Sequence, residues 1–160
     1  MFYYCGELGE LDIPDSVSAI GGSGDELMAG GVFNMCLKLT AIRLPEKLSF
    51  ISEYAFRSSG FTFIDIPGNV EEISWGAFSS CFDLAKVTIS SGVKTIRKHA
   101  FAGCPSLMNI TIPDSATTLE DDIFRLPSKS PETLPVTIHC NEGSAAHDYA
   151  LKNKIAFEFI

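Results

Sequence analysis

Apolar residues recur along this chain with two periods at once. Over a few residues they alternate, as in "IDIP" at 64–67, "VTIS" at 87–90 and "ITIP" at 110–113, which predicts short strands with one buried face. Over a longer distance the whole arrangement repeats. An aromatic anchor stands at Phe33, Phe56, Phe78, Phe101 and Phe124, in steps of 23, 22, 23 and 23 residues. The first apolar residue of the alternating stretch stands at Ile42, Ile64, Val87 and Ile110, in steps of 22, 23 and 23. Two independent anchors with one period identify an internal repeat.

The repeated phrase is Leu-x-x-Ile-x-Ile-Pro-x-x-Val-x-x-Ile-x-x-x-Ala-Phe-x-x-Cys, clearest from Leu84 to Ser106. The copy opening at Leu39 ends one residue short, in "FRSSGF". Leu8, Leu11, Ile13, Pro14, Val17 and Ile20 open an earlier copy, and Phe2, Cys5 and Leu8 match Phe101, Cys104 and Leu107. The chain is therefore expected to begin inside a repeat, as a truncated piece or the remnant of a longer array. Pro14, Pro45, Pro67 and Pro113 follow the alternating stretch, cannot donate to a ladder, and so end the strand and turn the chain. "Val-x-x-Ile" then returns along a second wall, and "Ala-Phe" inserts a large ring behind a small residue. One coil cannot bury these residues alone, whereas stacking on its neighbours does. With strands about 4.8 Å apart, five to six coils of 22–23 residues predict a rod roughly 25–30 Å long with a continuous parallel sheet on one wall.

Two departures break the period. From Phe2 to Phe33 is 31 residues, and the surplus lies in the glycine-rich "GGSGDELMAGG" at 21–31, read as a loop or, less simply, a binding element. It lacks the Gly-Lys-Ser/Thr of a phosphate loop. "RLPSKSPETLP" at 125–135 reads as a second loop, from its prolines and lack of periodicity. After "VTIHC" the repeat stops. Ser144 is an N-cap candidate for a helix over Ala145 to Lys152, and Ile155, Phe157 and Ile160 are expected to close the last coil's open end, making 141–160 a cap. All of 1–160 then forms one domain, whose C-terminus looks natural and whose N-terminus looks cut.

"LTAIRLPEKLSFISEYAFRSSGF" and "LMNITIPDSATTL" resemble the BspA-type leucine-rich repeat family of bacterial surface proteins and some parasitic protists. The resemblance covers essentially the whole chain. It implies an α/β right-handed solenoid with a parallel sheet on one wall, short strands, turns and 3-10 segments on the other, and a C-terminal helical cap. It implies binding of a protein or host-surface ligand rather than catalysis, no cofactor, and a cell-surface or secreted location. The rival reading is a structural spacer within a larger modular protein.

Composition narrows the picture further. At 160 residues, with 12 basic against 20 acidic residues and a formal charge of −8, the chain has the size of one domain and lacks the basic face of a nucleic-acid binder. The one basic cluster, Lys94, Arg97, Lys98 and His99, reads as a solvated edge. No apolar run reaches the roughly 18 residues of a membrane span, and "MFYYCGELGE" has neither the basic nor the apolar region of a signal peptide.

Candidate chemistry is thin. Cys5, Cys36, Cys81 and Cys104 share one repeat position, which brings Cys81 and Cys104 within reach of a disulfide. Buried thiols are the stronger reading, because Ser59 and Pro127 occupy the same position elsewhere. His139, Cys140 and His147 fit no standard zinc spacing. Ser144, His147 and Asp148 fall on one helical turn without the Gly-x-Ser-x-Gly that exposes a nucleophile, so a hydrolase is a distant alternative. No catalytic residue and no metal site is assigned. The interaction candidates are the outward residues of the strands: Glu10, Asp12, Arg43, Phe63, Asp65, Lys86, Thr88, Asn109 and Thr111. Phe63 is the aromatic exception in that polar stripe. Trp75 is a second exception, since its repeat equivalents Glu53, Lys98 and Asp121 are all charged. The bland alternative is that both rings fold onto adjacent coils.

Overall fold

The structure is a computed structural model that describes residues 2, 4–21, 31–125 and 135–160. In chain order the elements are β1 (Glu10–Asp12), β2 (Ala19–Ile20), β3 (Ala41–Arg43), β4 (Phe50–Ile51), β5 (Phe63–Ile66) and β6 (Glu72–Ile73). They continue as β7 (Lys86–Ile89), β8 (Thr95–Ile96), β9 (Asn109–Thr111), β10 (Thr118–Leu119), β11 (Thr137–Cys140), α1 (Ala145–Asn153) and β12 (Ala156–Phe159). The glycine-rich 21–31 and proline-rich 125–135 segments fall almost wholly outside the described residues.

Each coil contributes one strand to each of two parallel walls. The alternating "Ile-x-Ile" stretches build the outer wall, and the "Val-x-x-Ile" stretches build a second wall of two-residue strands ordered β10-β8-β6-β4-β2. The alternation buries the inward residues of the central strands, Ile64 and Ile66 of β5 and Val87 and Ile89 of β7 among them, while Leu11 of β1 and Ile42 of β3 are partly buried. The outer wall is not continuous. It divides into β1-β3 and β12-β11-β9-β7-β5, and no ladder joins β3 to β5. The interruption falls at the short copy, where Phe56 and Ile64 are eight residues apart against nine for Phe78 and Val87. The shortened corner presses Gly60 against the preceding coil, and a Cβ there would lie 2.1 Å from the Leu37 carbonyl oxygen.

The remaining edge consists of turns, stitched coil to coil by main-chain hydrogen bonds. The Phe33, Phe56, Phe78 and Phe101 amides donate to the carbonyls of Ala55, Ala77, Ala100 and Ile123. Behind this edge the repeated phenylalanines form a ladder. Phe2–Phe33, Phe33–Phe56, Phe56–Phe78 and Phe78–Phe101 stack with centroids 5.4, 5.3, 5.2 and 5.5 Å apart and ring planes within 15°. Phe101–Phe124 extends the ladder at 6.2 Å. The coil spacing sets these distances, so the rings are displaced parallel stacks, a favoured geometry for aromatic pairs.

The shared cysteine position has a physical explanation. Each side chain donates to the carbonyl oxygen of the ladder phenylalanine one coil back: Cys36 to Phe2 at 3.0 Å, Ser59 to Phe33 at 3.1 Å, Cys81 to Phe56 at 3.2 Å and Cys104 to Phe78 at 3.2 Å. In these four copies the position holds a small side chain with one donor, which both thiol and hydroxyl provide. All five cysteines are free, so Cys81 and Cys104 form no disulfide. Burial pushes the Cys36 and Cys140 thiols up and Cys81 well up, against the thiolate that reacts. A disulfide-exchange reagent is therefore expected to label Cys5 alone in the native chain and all five thiols in denaturant. Rapid native labelling of Cys81 would contradict the column. In the same column, Ser59→Cys should be nearly neutral while Ser59→Ala costs about 1–2 kcal/mol, read from urea denaturation.

At the C-terminal end Ser144 caps α1, its hydroxyl accepting from the His147 amide. Ala146, Tyr149 and Ala150 are the buried face of the helix. Of the three residues expected to close the last coil, Ile155 and Phe157 pack partly buried against the core, whereas Ile160 is 66% exposed. Residues Ala156–Phe159 also add strand β12 to β11, in register from Thr137↔Ala156 to Cys140↔Phe159. The open main-chain edge of β11 thereby gains a partner. Closure of the end is shared with the helix.

Candidate functional site

The outer wall presents alternate strand residues to solvent in rows. Glu10 aligns with Ala41 and Asp12 with Arg43 on the first sheet. On the second, Phe63, Lys86, Asn109 and Thr137 form one row and Asp65, Thr88, Thr111 and His139 the next. These are the rows expected from the repeat, interrupted between Arg43 and Phe63. The strand pairing extends them to Ala156 and Glu158, which the repeat pattern leaves out because it places Ile155, Phe157 and Ile160 at the open end and no strand there. The alternation in "AFEF" was the available signal.

Within the rows two sets of polar groups are spent on one another. Arg43 reaches Asp12 at 3.3 Å and Asp15 at 2.9 Å, and all three are well exposed. His139 Nε2 meets Asn109 Oδ1 at 3.0 Å while its Nδ1 lies 3.5 Å from Glu158. Phe63 differs. It is 57% exposed on β5 beside Lys86, and no aromatic contact covers it among the described residues. Met108, immediately before β9, is equally exposed at 57%. Of the two rings singled out in the sequence, Phe63 stays open.

Trp75 does fold back. It stands on the turn edge and not on the sheet, so the structure does not bring it together with Phe63's rows. Its ring packs edge-on against Tyr54 of the preceding coil at 4.7 Å and tilts against His99 of the following coil at 5.2 Å. Gly76, at φ 59°, leaves the space: a Cβ there would meet the Tyr54 ring at 2.9 Å. The basic cluster is a solvated edge whose cations are ion-paired. Lys94 pairs with Glu71, Arg97 with Glu72 and Glu120, and Lys98 with Asp122. His99 is half-buried, and burial, helped by Lys98, holds its imidazole below the ordinary range.

The C-terminal groups are occupied structurally. Ser144 Oγ donates to the Asn141 carbonyl at 2.8 Å, His147 Nδ1 accepts from the Gly143 amide at 3.1 Å, and no hydrogen bond joins the two side chains. His147 packs against Phe157 and Phe159, and Cys140 is fully buried. No group of three His, Cys, Asp or Glu side chains among the described residues is arranged to hold a metal ion. No helix among them is long and apolar enough to cross a membrane.

The sequence model described as BspA type Leucine rich repeat region matches residues 1–130 in six copies. Among solved structures, a leucine rich cell surface protein from Faecalibacterium prausnitzii A2-165 is 26% identical, with a TM-score of 0.53, over 77% of this chain and 40% of its own. A leucine-rich repeat protein from Bacteroides ovatus ATCC 8483 is 19% identical, with a TM-score of 0.40, over 98% of this chain and 52% of its own. The chain thus spans about half or less of the length of each. No curated protein matches it.

Proposed function

We propose, from the premise that this chain belongs to the BspA-type leucine-rich repeat family, that it is a non-catalytic module binding a protein partner on its outer sheet wall. The observation carrying the reading is Phe63, a large ring more than half exposed at the start of a rigid row of polar side chains. Exposed aromatics on such a platform are the usual anchors of an interface. The side chains around it, Lys86, Asp65, Thr88, Asn109 and Thr111, supply the polar rim, and Glu10, Asp12 and Arg43 offer a charged continuation along the first sheet. The Faecalibacterium prausnitzii relative is a cell surface protein. We carry that location over, as surface or secreted, with adhesion to a host-surface ligand as the finer form of the reading.

Partner binding by the chain should weaken about ten- to thirtyfold on Phe63→Ala, the loss of one anchor. Thermal stability should hardly move, because the ring is already half in water. Surface plasmon resonance against a captured partner measures the first and thermal denaturation the second. Unchanged binding for Phe63→Ala and for Lys86→Glu would remove the wall from the interface and return the spacer reading.

A further inference from the structure

The turn edge carries a groove of about 290 Å³, on a different face from the sheet wall. Two rows of side chains meet in it. One is a run of rings, Tyr54, Trp75 and His99, in edge-on and tilted contact from coil to coil, with Trp75 one repeat position before the other two. The other is the position just after each ladder phenylalanine, where Arg57, Ser79, Ala102 and Arg125 follow one another. Small residues in the middle keep the groove open, and an arginine stands at each end.

Those two arginines are unlike the other two in the chain. Arg43 and Arg97 each bridge two carboxylates. Arg57 and Arg125 meet none among the described residues, although acidic side chains outnumber basic ones 20 to 12. The Arg57 guanidinium instead lies over the Tyr54 ring, 5.2 Å from its centroid. His99 adds an unmet need, since its Nε2 is buried without a hydrogen-bond partner. A guanidinium at each end of an aromatic trough, with no carboxylate partner among the described residues, suits an elongated ligand with two negative groups.

Spacing selects the ligand class. Arg57 and Arg125 are three coils apart, about 14 Å at their roots for coils spaced by about 4.8 Å. An extended peptide covers the same roughly 14 Å in four residues. A saccharide fits less well. Its hydroxyls need planar side chains that both give and accept, and the lining contains no Asn, Gln, Asp or Glu. We propose that the groove binds an extended acidic peptide segment, its two carboxylates four residues apart on Arg57 and Arg125 and an apolar side chain between them against Trp75. This goes beyond the sheet-wall reading and does not depend on it.

Trp75 is the only tryptophan in the chain, so its emission reports occupancy directly. The full chain would be titrated with a blocked peptide containing Glu-Val-Phe-Val-Glu between serines, with its glutamine counterpart, and with an oligogalacturonate of similar length. A saturable change in the micromolar range is expected with the glutamate peptide, and about tenfold weaker binding for the glutamine peptide. Arg57→Gln and Arg125→Gln should each weaken binding about five- to tenfold with folding unchanged by circular dichroism, while Phe63→Ala should not alter it. No saturable change up to millimolar peptide overturns the assignment. So does equal binding of the glutamine peptide, or arginine variants that bind normally. Tighter binding of the oligogalacturonate overturns it in favour of an acidic saccharide, and a loss on Phe63→Ala as large as on Arg57→Gln moves the peptide to the sheet wall.

Discussion

Replacing Phe78 by alanine is expected to cost about 3–5 kcal/mol, the range for emptying a fully buried aromatic site. Phe78 is wholly buried, and its ring stacks on Phe56 at 5.2 Å and on Phe101 at 5.5 Å. The substitution therefore removes two aromatic pairs, each worth about 0.5–1.5 kcal/mol beyond burial. Against a domain stability of about 5–15 kcal/mol this is a large fraction. The architecture makes it worse. A solenoid coil contacts only its neighbours, so a hole in a central rung weakens both interfaces of that coil, and no distant contact compensates. Phe2 is the control: it is 43% exposed and, among the described residues, stacks only on Phe33, so Phe2→Ala should cost only about 1 kcal/mol. Urea denaturation of the two variants beside the parent chain measures the contrast. Equal losses, or a Phe78→Ala cost below about 1.5 kcal/mol, would deny the ladder its central place.

The ladder was legible because it is a demand every coil makes. The space behind the turn edge has the same shape each time, so the sequence must repeat Phe33, Phe56, Phe78, Phe101 and Phe124 to fill it. The register of the outer wall followed from the same period, down to Phe63 beside Lys86 and Lys86 beside Asn109. The break between β3 and β5 was visible only as a missing residue in "FRSSGF". Whether one missing residue is absorbed in a corner or opens a sheet depends on how closely Gly60 can approach Leu37, which periodicity does not encode. The place of β12 was hidden for a related reason: an unpaired strand edge is a property of the assembled wall.

The candidate sites divide along the same line. Phe63 could be placed on the solvent side of the wall, because alternation says which way a strand residue points, but whether its ring folds onto an adjacent coil needed the structure. Trp75 lies in a turn, where no alternation holds. Its packing between Tyr54 and His99 depends on the space Gly76 leaves, and the groove beside it arises only once Arg57, Ser79, Ala102 and Arg125 stand in one column. Repeat copies compared at that position would have shown two arginines flanking two small residues. That neither meets a carboxylate among the described residues needed the folded chain.

Tyr149 is where the ladder ends, and it carries the second large effect. Its ring meets Phe124 edge-on at 6.2 Å, and its hydroxyl oxygen accepts from the Ile123 amide at 3.2 Å. One side chain of α1 thus covers the last ring and satisfies a main-chain donor on the last coil. Tyr149→Ala should cost about 3–5 kcal/mol through the exposed rung and the lost contact. Tyr149→Phe, which keeps the ring, should cost about 1–2 kcal/mol for an amide left without its acceptor. The hydroxyl also titrates with a sign that can be tested. Burial pushes Tyr149 up to about 12, more than its bond to the Ile123 amide lowers it. In the unfolded chain a tyrosine ionises near about 10. Between those two values the unfolded state has lost a proton that the folded state keeps, so stability is complete below about pH 10 and falls as pH rises toward 12. Tyr54 is raised in the same direction, so the informative quantity is the difference between the parent chain and Tyr149→Phe. That difference should shrink above about pH 10, because the variant has no hydroxyl to ionise. Hydrogen exchange gives the local test: in Tyr149→Ala, the amides of the coil holding Phe124 should lose protection before those around Phe78. Uniform loss along the rod, or a difference between parent and Tyr149→Phe that does not change with pH, would mean that α1 merely rests on the last coil without sealing it.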